Sequence, residues 1–156
     1  MERKMEKPKL VKTDLDKQIR ELVGKTDHKT LAIWACDCAE RVLPYFEKKH
    51  PEDDRPRMAI EAGRAWARTG VFKMADVRKA ALAAHTAARE AGGDDAARSA
   101  ARAAGQALAT AHVPGHAIAA AVYAATAVRD WVEITDPDAA ATKERGWQYQ
   151  HLLELQ

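Results

Sequence analysis

Alanine is concentrated in one part of this chain, where it occupies 24 of the 53 positions from residue 75 to residue 127. Alanine has the most favourable helix propensity, because it buries no polar group and loses no rotamer freedom on folding. β-branched residues are few, and no segment alternates polar and apolar residues over any length. No strand is predicted, and the chain is expected to be all-α with closely packed helices.

A repeat of 20 residues places alanines at equivalent positions of three predicted helices. The matching triplets are Ala80/Ala100/Ala120, Ala81/Ala101/Ala121, Ala84/Ala104/Ala124 and Ala87/Ala107/Ala127. Each triplet position falls on the same side of its helix, so each helix is expected to present a smooth alanine face that permits a short interaxial distance. Two architectures fit this pattern: a compact antiparallel bundle, or a short superhelix of stacked helical hairpins.

Capping and helix-breaking residues divide the chain into about six helices. Aspartates stand at predicted helix starts, where a carboxylate can accept a backbone hydrogen bond as N-cap; they are Asp14, Asp27, Asp54, Asp94 and Asp136. Pro44 lies inside a pattern of helical spacing and lacks the N–H that a helix interior requires. It therefore predicts a kink or a break near residues 42–43.

The charges almost cancel, with 25 Lys+Arg against 23 Asp+Glu. This balance gives little support to a nucleic-acid-binding or membrane-surface protein. The basic surplus lies in residues 1–25, which carry 8 basic and 5 acidic side chains. We therefore divide the chain into a basic N-terminal arm with a short helix, residues 1–26, and one all-α domain, residues 27–156. Residues 1–13 are expected to be frayed.

Targeting and redox signals are weak. Residues 1–12 are charged and lack the apolar core of a signal peptide, and the longest apolar run, residues 117–128, is too short to cross a bilayer. Cys36 and Cys38 are separated by one residue, which suits neither a disulfide framework nor a CxxC site. We expect a cytoplasmic protein with two inert, buried thiols.

Enzyme motifs are absent from the sequence. It contains no GxSxG, no phosphate-binding loop, no GxGxxG after a strand, and no zinc-binding HExxH. A thiol nucleophile is disfavoured because Cys38 lies on the apolar stripe of its helix, where a thiol is usually inert. The chain is therefore expected to be non-catalytic and to need no cofactor.

Four side chains of the alanine-rich region form a candidate pocket: His85, Arg89, His112 and His116. His112 and His116 flank the turn at residues 114–115, and His85 lies on an alanine face that could point toward the same interior. The histidines can serve as structural groups, line a polar pocket with Arg89 as an anion contact, or bind zinc. Because Pro114 interrupts the HxxxH spacing, no metal ligand is predicted.

Acidic side chains cluster on the polar side of the second helix and in the loop after it. Asp37, Glu40 and Arg41 share one side of the helix, and the following segment carries Glu47, Asp53 and Asp54. They can form an acidic rim for a basic partner such as a nuclease, or simply a solvated surface.

Several stretches of the chain are distinctive as text: residues 31–43, with the sequence LAIWACDCAERVL, residues 53–57 and 59–67, and residues 144–148 with the sequence ERGWQ. Together with the alanine-rich block, they resemble the family labelled "putative immunity protein" in bacteria and archaea, over roughly residues 27–155. The resemblance implies a small all-α antidote that binds a cognate toxin, often a nuclease or deaminase domain, and blocks its active site. It supplies no catalytic residue.

The sequence therefore supports two candidate functions from different classes. The first is a toxin-neutralising binding protein, whose expected contacts are Asp37, Glu40, Arg41, Glu47, Asp53 and Asp54, with Tyr45 as an aromatic anchor. The second is a helical small-molecule or metal-binding protein that uses a pocket of His85, His112 and His116. Self-association through the alanine faces is a further possibility.

Overall fold

A computed structural model describes residues 9–156, and this part of the chain forms seven α-helices and no β-strand. The helices are α1 (Asp16–Val23), α2 (His28–Glu47), α3 (Arg55–Thr69), α4 (Met74–Glu90), α5 (Asp95–Ala109), α6 (His116–Asp130) and α7 (Pro137–Glu154). The all-α prediction is confirmed. The count is seven and not about six, because the short helix of the arm adds to the six of the main body.

Helix α5 lies at the centre of the fold and contacts α2, α3, α4 and α6. Helix α7 packs against α1, α2 and α6. Contacts between helices that are distant in sequence, such as α2 with α5 and α6, wrap the chain around α5. A one-dimensional stack would instead place each unit against its sequence neighbours alone. Within residues 9–156, no helix has the length and apolar character that crossing a membrane requires.

The repeated alanines of α5 and α6 are fully buried within the monomer, and so are Ala84 and Ala87 of α4. The buried alanines of α5 and α6 are Ala100, Ala101, Ala104, Ala107, Ala120, Ala121, Ala124 and Ala127. They bring these helices together at the centre of the core, as the repeat predicts. These alanines are covered inside one chain and are not available to a second copy, whereas Ala80 and Ala81 of α4 are only half-buried. Self-association through the alanine faces stays a prediction.

Three of the predicted N-caps are confirmed by hydrogen bonds. The carboxylates of Asp27, Asp94 and Asp136 accept the backbone N–H of the residue three positions ahead, at 2.8, 3.0 and 3.2 Å. Asp54 stands at the N-cap of α3 without a side-chain bond, and the neighbouring Asp53 accepts the N–H of Arg55 instead. Each bonded cap satisfies a donor that the first helical turn leaves open.

The first helix starts later than the cap at Asp14 predicts. Leu15 is the N-cap residue of α1, and it makes no side-chain capping bond. The carboxylate of Asp16 accepts hydrogen bonds from the backbone and the hydroxyl of Thr13. These bonds, rather than a bond from Asp14, fix the chain as it enters α1.

Of the two outcomes predicted at Pro44, a kink or a break of the helix, the break is wrong. Helix α2 continues through it to Glu47. Pro44 is exposed and lies in the last turn of the helix, where its missing N–H removes one hydrogen bond close to the end. Water can reach the carbonyl that this N–H would have bonded, so the cost is smaller than in a buried helix interior.

Part of the N-terminal arm packs onto the domain. Val11 is buried against Ala125 and Ala141, and its N–H donates to the hydroxyl of Thr126 at 3.2 Å. The predicted fraying is therefore wrong for residues 9–13, whereas residues 1–8 lie outside the described part of the chain. The division of the chain after residue 26 stays a prediction.

Helices α3 and α5 approach closely at Gly63, next to the buried thiol of Cys36. A Cβ atom on Gly63 would lie 2.8 Å from the Cys36 sulfur and 3.7 Å from the Cα of Leu108. Both cysteines are free and buried, as expected, and burial raises the pKa of the Cys36 thiol to about 12. The thiol therefore fills space beside the glycine and stays protonated.

The Gly63→Ala change is expected to lower the free energy of unfolding by about 1–2 kcal/mol. Overpacking a buried contact typically costs about 1–3 kcal/mol, and this exceeds the gain of up to about 1 kcal/mol in helix propensity. Urea denaturation measures the difference. Gly93→Ala is the control, since nothing lies within 4 Å of a Cβ at that glycine. Adding Cys36→Ala to the Gly63→Ala variant is expected to restore stability, and failure to do so would contradict the proposed clash.

Candidate partner-binding face

The stretches that carry the family resemblance meet where α2 packs between α3 and α7. From α2, the Trp34 indole N–H donates to the carbonyl of Gln148 at 2.9 Å. One turn further, Asp37 accepts a hydrogen bond from Arg64 of α3 at 2.7 Å. These contacts fix α2 in position, and its polar side remains outside as part of a continuous surface.

We call this surface the α2 face. It consists of Asp37, Glu40, Arg41, Tyr45 and Glu47 of α2, Asp53 and Asp54 of the following loop, Arg55, Arg57 and Arg64 of α3, and Glu144, Trp147 and His151 of α7. All seven residues expected to contact a partner belong to it. The structure adds six side chains of α3 and α7 that contact them or lie alongside.

An aromatic stack lies at the centre of the α2 face. The rings of Trp147 and His151 are stacked with their centroids 4.7 Å apart, and the Arg41 guanidinium lies 3.8 Å from the Trp147 ring centroid. The carboxylate of Asp37 contacts His151 at 2.7 Å on one oxygen and accepts from Arg64 on the other. The stack and the charges therefore form one connected arrangement and lie beside a shallow depression.

Arg41 joins this stack to a buried carboxylate. Its guanidinium donates two hydrogen bonds to Glu144, at 2.8 and 2.9 Å. The Glu144 side chain is only 8% exposed, whereas that of Arg41 is 41% exposed. These hydrogen bonds raise the pKa of the Arg41 guanidinium, and the planar, two-point contact holds it in a defined orientation at the surface.

Four acidic residues of the rim are paired with arginines of α3; they are Asp37, Glu40, Glu47 and Asp53. Glu47 accepts two hydrogen bonds from Arg57, and Asp53 accepts two from Arg55. These bonds lower the pKa of both carboxyls. Glu40 is bonded to Arg64. The surface thus alternates in sign, and it differs from the uniformly acidic rim that could be read from α2 and its loop alone.

Tyr45 is half-buried at the edge of the α2 face. Its ring is stacked on Trp131, with centroids 4.7 Å apart, and burial raises the pKa of its hydroxyl. The Lys48 ammonium group lies over the Trp131 ring, 5.6 Å from its centroid. Tyr45 is therefore held in place by its neighbours, and only part of its surface is open to a partner.

The candidate histidine pocket is only partly assembled. His85 packs against Gly105, and His116 Nδ1 bonds the side-chain oxygen of Gln106 at 2.8 Å. His112 is exposed and stacks on Phe72. Within residues 9–156, no three His, Cys, Asp or Glu side chains are arranged to hold a metal ion.

Arg89, the expected anion contact of the pocket, is exposed on α4. Its guanidinium donates to the hydroxyl of Thr86 in the preceding turn at 2.9 Å. Arg89 is close enough to His85 to lower the pKa of that ring, as are Arg102 of α5 and His116 of α6. The positive groups of three helices therefore gather around His85, and His112 makes its ring contact with Phe72 of the loop before α4.

His85 is expected to make the protein less stable in mild acid. Burial, with the neighbouring positive charges, lowers the pKa of its ring from 6.5 to about 4. Between these values the unfolded chain binds a proton that the folded chain does not, so stability falls as the pH drops from about 6.5 to about 4.

The contribution of His85 is on the order of 2 kcal/mol, reduced from the full shift because the ring is partly accessible. Urea denaturation at pH 7 and pH 4.5 measures it by comparing the chain with its His85→Leu variant, since the carboxyl groups titrate in both. The variant is expected to lose less stability in acid. Equal losses in the two proteins would contradict the role of His85.

Two polar residues of α7 hold the fold from inside, and sequence reasoning assigned neither a role. Arg145 is 1% exposed and donates to Asp16 of α1 at 3.0 Å and to the Gln148 side chain at 2.9 Å. The Gln148 amide donates to the carbonyl of Ala121 in α6 at 2.8 Å. Both residues lie in the distinctive stretch 144–148, and that stretch is the sequence feature that could have drawn attention to them.

Comparison with known proteins identifies one family. A family model described as "Imm-5 like putative immunity protein" matches residues 21–155. The matched region contains α2 to α7 and every residue of the α2 face. No curated protein and no solved structure matches the chain.

Proposed function

The chain belongs to the Imm-5 like family of immunity proteins, and from this membership we propose that it binds a cognate toxin protein and blocks its activity. The observation that carries the proposal is the family match over nearly the whole chain. The protein acts by occupancy and not by catalysis, and the proposal places the complex in the cytoplasm.

We assign the toxin contact to the α2 face. Protein interfaces gain most of their energy from a few anchored side chains, with charged groups around them that select the partner and speed its association. The α2 face offers Trp147 and Tyr45 as anchors. Arg41 and Glu40 are examples of its partly exposed charges, with 41% and 49% of their side chains accessible.

The ion pairs of the α2 face support this assignment because they prepare the surface in advance. Arg41 and Arg57 are each held by two hydrogen bonds. A side chain that is already ordered loses less conformational entropy on binding. The alternating charges favour a partner surface with both signs, rather than the uniformly basic surface of a nuclease cleft.

Co-expression with the protein encoded by the neighbouring gene tests the proposal. Cells that produce the neighbouring gene's protein alone are expected to stop growing. Cells that also produce the present chain are expected to grow again. A pull-down of the tagged chain is expected to recover the same protein in a stable complex. Continued arrest together with no complex would contradict the proposal.

A further inference from the structure

Arg102 differs from the arginines of the α2 face in having no counter-charge. It lies half-buried on α5 and, within the described residues 9–156, makes no hydrogen bond or ion pair. By contrast, Arg41, Arg57 and Arg64 each contact at least one carboxylate. A partly buried guanidinium loses hydration, and a paired anion would compensate for that loss.

Arg102 lines a cavity between α5, α6 and residues 9–10 of the arm. The cavity has a volume of about 570 Å³, within the range of small-ligand sites. Its lining residues are Lys9, Leu10, Asp95, Arg98, Ser99, Arg102, Tyr123, Arg129 and Asp130. Ser99 and Tyr123, which carry hydroxyl groups, therefore line the same space as Arg102.

The cavity has an excess of positive charge. Of its lining arginines, Arg98 is paired with Asp95 and Arg129 with Asp130. No ion pair is found for Lys9 or Arg102 within residues 9–156. Among the lining residues that the structure describes, four are basic and two are acidic, and this composition suits an anion.

The positive region extends from Arg102 toward α4. Arg102, Arg89 and His116 all act on the ring of His85 with the same sign. The Nδ1 atom of His85 is buried and has no hydrogen-bond partner in the part of the chain that the structure describes. Arg102 therefore both lines the cavity and lies close enough to the buried ring of His85 to act on it.

We propose that this cavity binds the phosphate group of a small ligand, with the Arg102 guanidinium as the charged partner and the hydroxyls of Ser99 and Tyr123 as hydrogen-bond donors. The planar fork of an arginine matches two phosphate oxygens at once, and hydroxyl donors reach the others. The site shares no residue with the α2 face. It therefore stands independently of toxin binding and adds a small-molecule ligand to it.

Inorganic phosphate is the first probe, titrated into the full chain at constant ionic strength set with sodium chloride. Calorimetry is expected to detect saturable binding, and the Tm is expected to rise as the ligand stabilises the folded state. Arg102→Gln removes the charge with little change in volume and is expected to weaken phosphate binding by about tenfold to hundredfold. Tyr123→Phe removes one hydroxyl and is expected to have a smaller effect of the same sign.

Arg78→Gln is the matched control, because Arg78 is an exposed arginine of α4 outside the cavity. This variant is expected to bind phosphate as the unmodified chain does. Equal binding by the Arg102 and Arg78 variants, or no saturable binding by the unmodified chain, would overturn the proposal. Circular dichroism confirms that each variant is folded.

A second readout reports on the position of the ligand. A phosphate bound beside Arg102 offsets the positive charges around His85, so the pKa of this ring is expected to rise on binding, as followed by NMR of its ring protons. Succinate serves as the carboxylate probe at the same ionic strength. Tighter binding of phosphate supports the assignment, whereas equal binding of succinate, or an unchanged His85 titration, would contradict it.

Discussion

Replacing Arg145 with methionine is expected to lower the free energy of unfolding by about 2–4 kcal/mol. The guanidinium of Arg145 bonds both Asp16 and Gln148. Methionine fills most of the space but supplies no donor, so the fully buried Gln148 oxygen loses a partner, at a cost of about 1–3 kcal/mol. Asp16 also loses its ion pair.

The loss at Asp16 is part of this expected effect. Burial acts to raise the pKa of Asp16, but hydrogen bonds from Thr13 and Arg145 lower it overall. The ionised carboxylate is thus stabilised in the folded state, and Arg145 provides part of that stabilisation while joining α1 to α7. Removing one member of such a pair costs more than the pair contributes when intact, because the other charge stays behind.

Urea denaturation measures the effect of Arg145→Met against a matched control. Arg98→Met removes an exposed arginine whose pair with Asp95 has side chains 44% and 41% accessible, and it is expected to cost less than about 1 kcal/mol. The double variant Arg145→Met/Gln148→Leu is expected to lose less free energy of unfolding than the two single variants lose together, because Arg145 and Gln148 share a hydrogen bond. Equal effects of the Arg145 and Arg98 changes would contradict the structural role of Arg145.

The helices of this protein are readable from local sequence. Asp27, Asp94 and Asp136 mark helix starts because an N-cap depends on residues within one turn. The alanine repeat likewise predicts which sides of α5 and α6 are buried, since small side chains at helical spacing permit close approach. Pro44 misleads, because its cost depends on its place near the exposed end of α2, which the sequence does not state.

The interior of α7 is not readable in this way. Glu144, Arg145 and Gln148 are buried although their types predict exposure. They are accommodated by groups more than 25 residues away in sequence, such as Asp16 and the Ala121 carbonyl. No local sequence pattern indicates such distant partners, so the sequence does not show clearly which side of α7 is buried.

The α2 residues of the candidate site could be grouped from the sequence because they belong to one helix. Asp37, Glu40 and Arg41 share one side of a helix, and helical periodicity alone brings them together. The arginines that neutralise them come from α3, and the Trp147–His151 stack comes from α7. Long-range packing decides those contacts, and it turns an apparently acidic rim into a surface of both signs.

Reversing two exposed charges of the α2 face is expected to weaken toxin binding by about 100-fold. The double variant Glu40→Lys/Asp54→Lys changes one side chain that is 49% accessible and one exposed residue that makes no capping bond. Like charges placed across an interface cost several kcal/mol, which corresponds to this loss or more. The stability of the free protein is expected to change by less than about 1 kcal/mol, since both sites are at the surface.

A control with the same change in net charge separates the α2 face from the general charge of the protein. Glu21→Lys/Glu154→Lys alters two exposed residues, one in α1 and one at the end of α7. Neither belongs to the α2 face. This control is expected to bind the toxin with the affinity of the unmodified chain and to rescue growth as well as that chain does.

The most direct test of the proposed function is the Kd of the complex between this chain and the protein encoded by the neighbouring gene, measured for the unmodified chain and for both double variants. We expect tight binding by the unmodified chain, binding weakened by about 100-fold in Glu40→Lys/Asp54→Lys, and unchanged binding in Glu21→Lys/Glu154→Lys. Equal affinity of all three proteins would contradict the assignment of the α2 face. Absence of any complex with the unmodified chain would contradict toxin neutralisation itself.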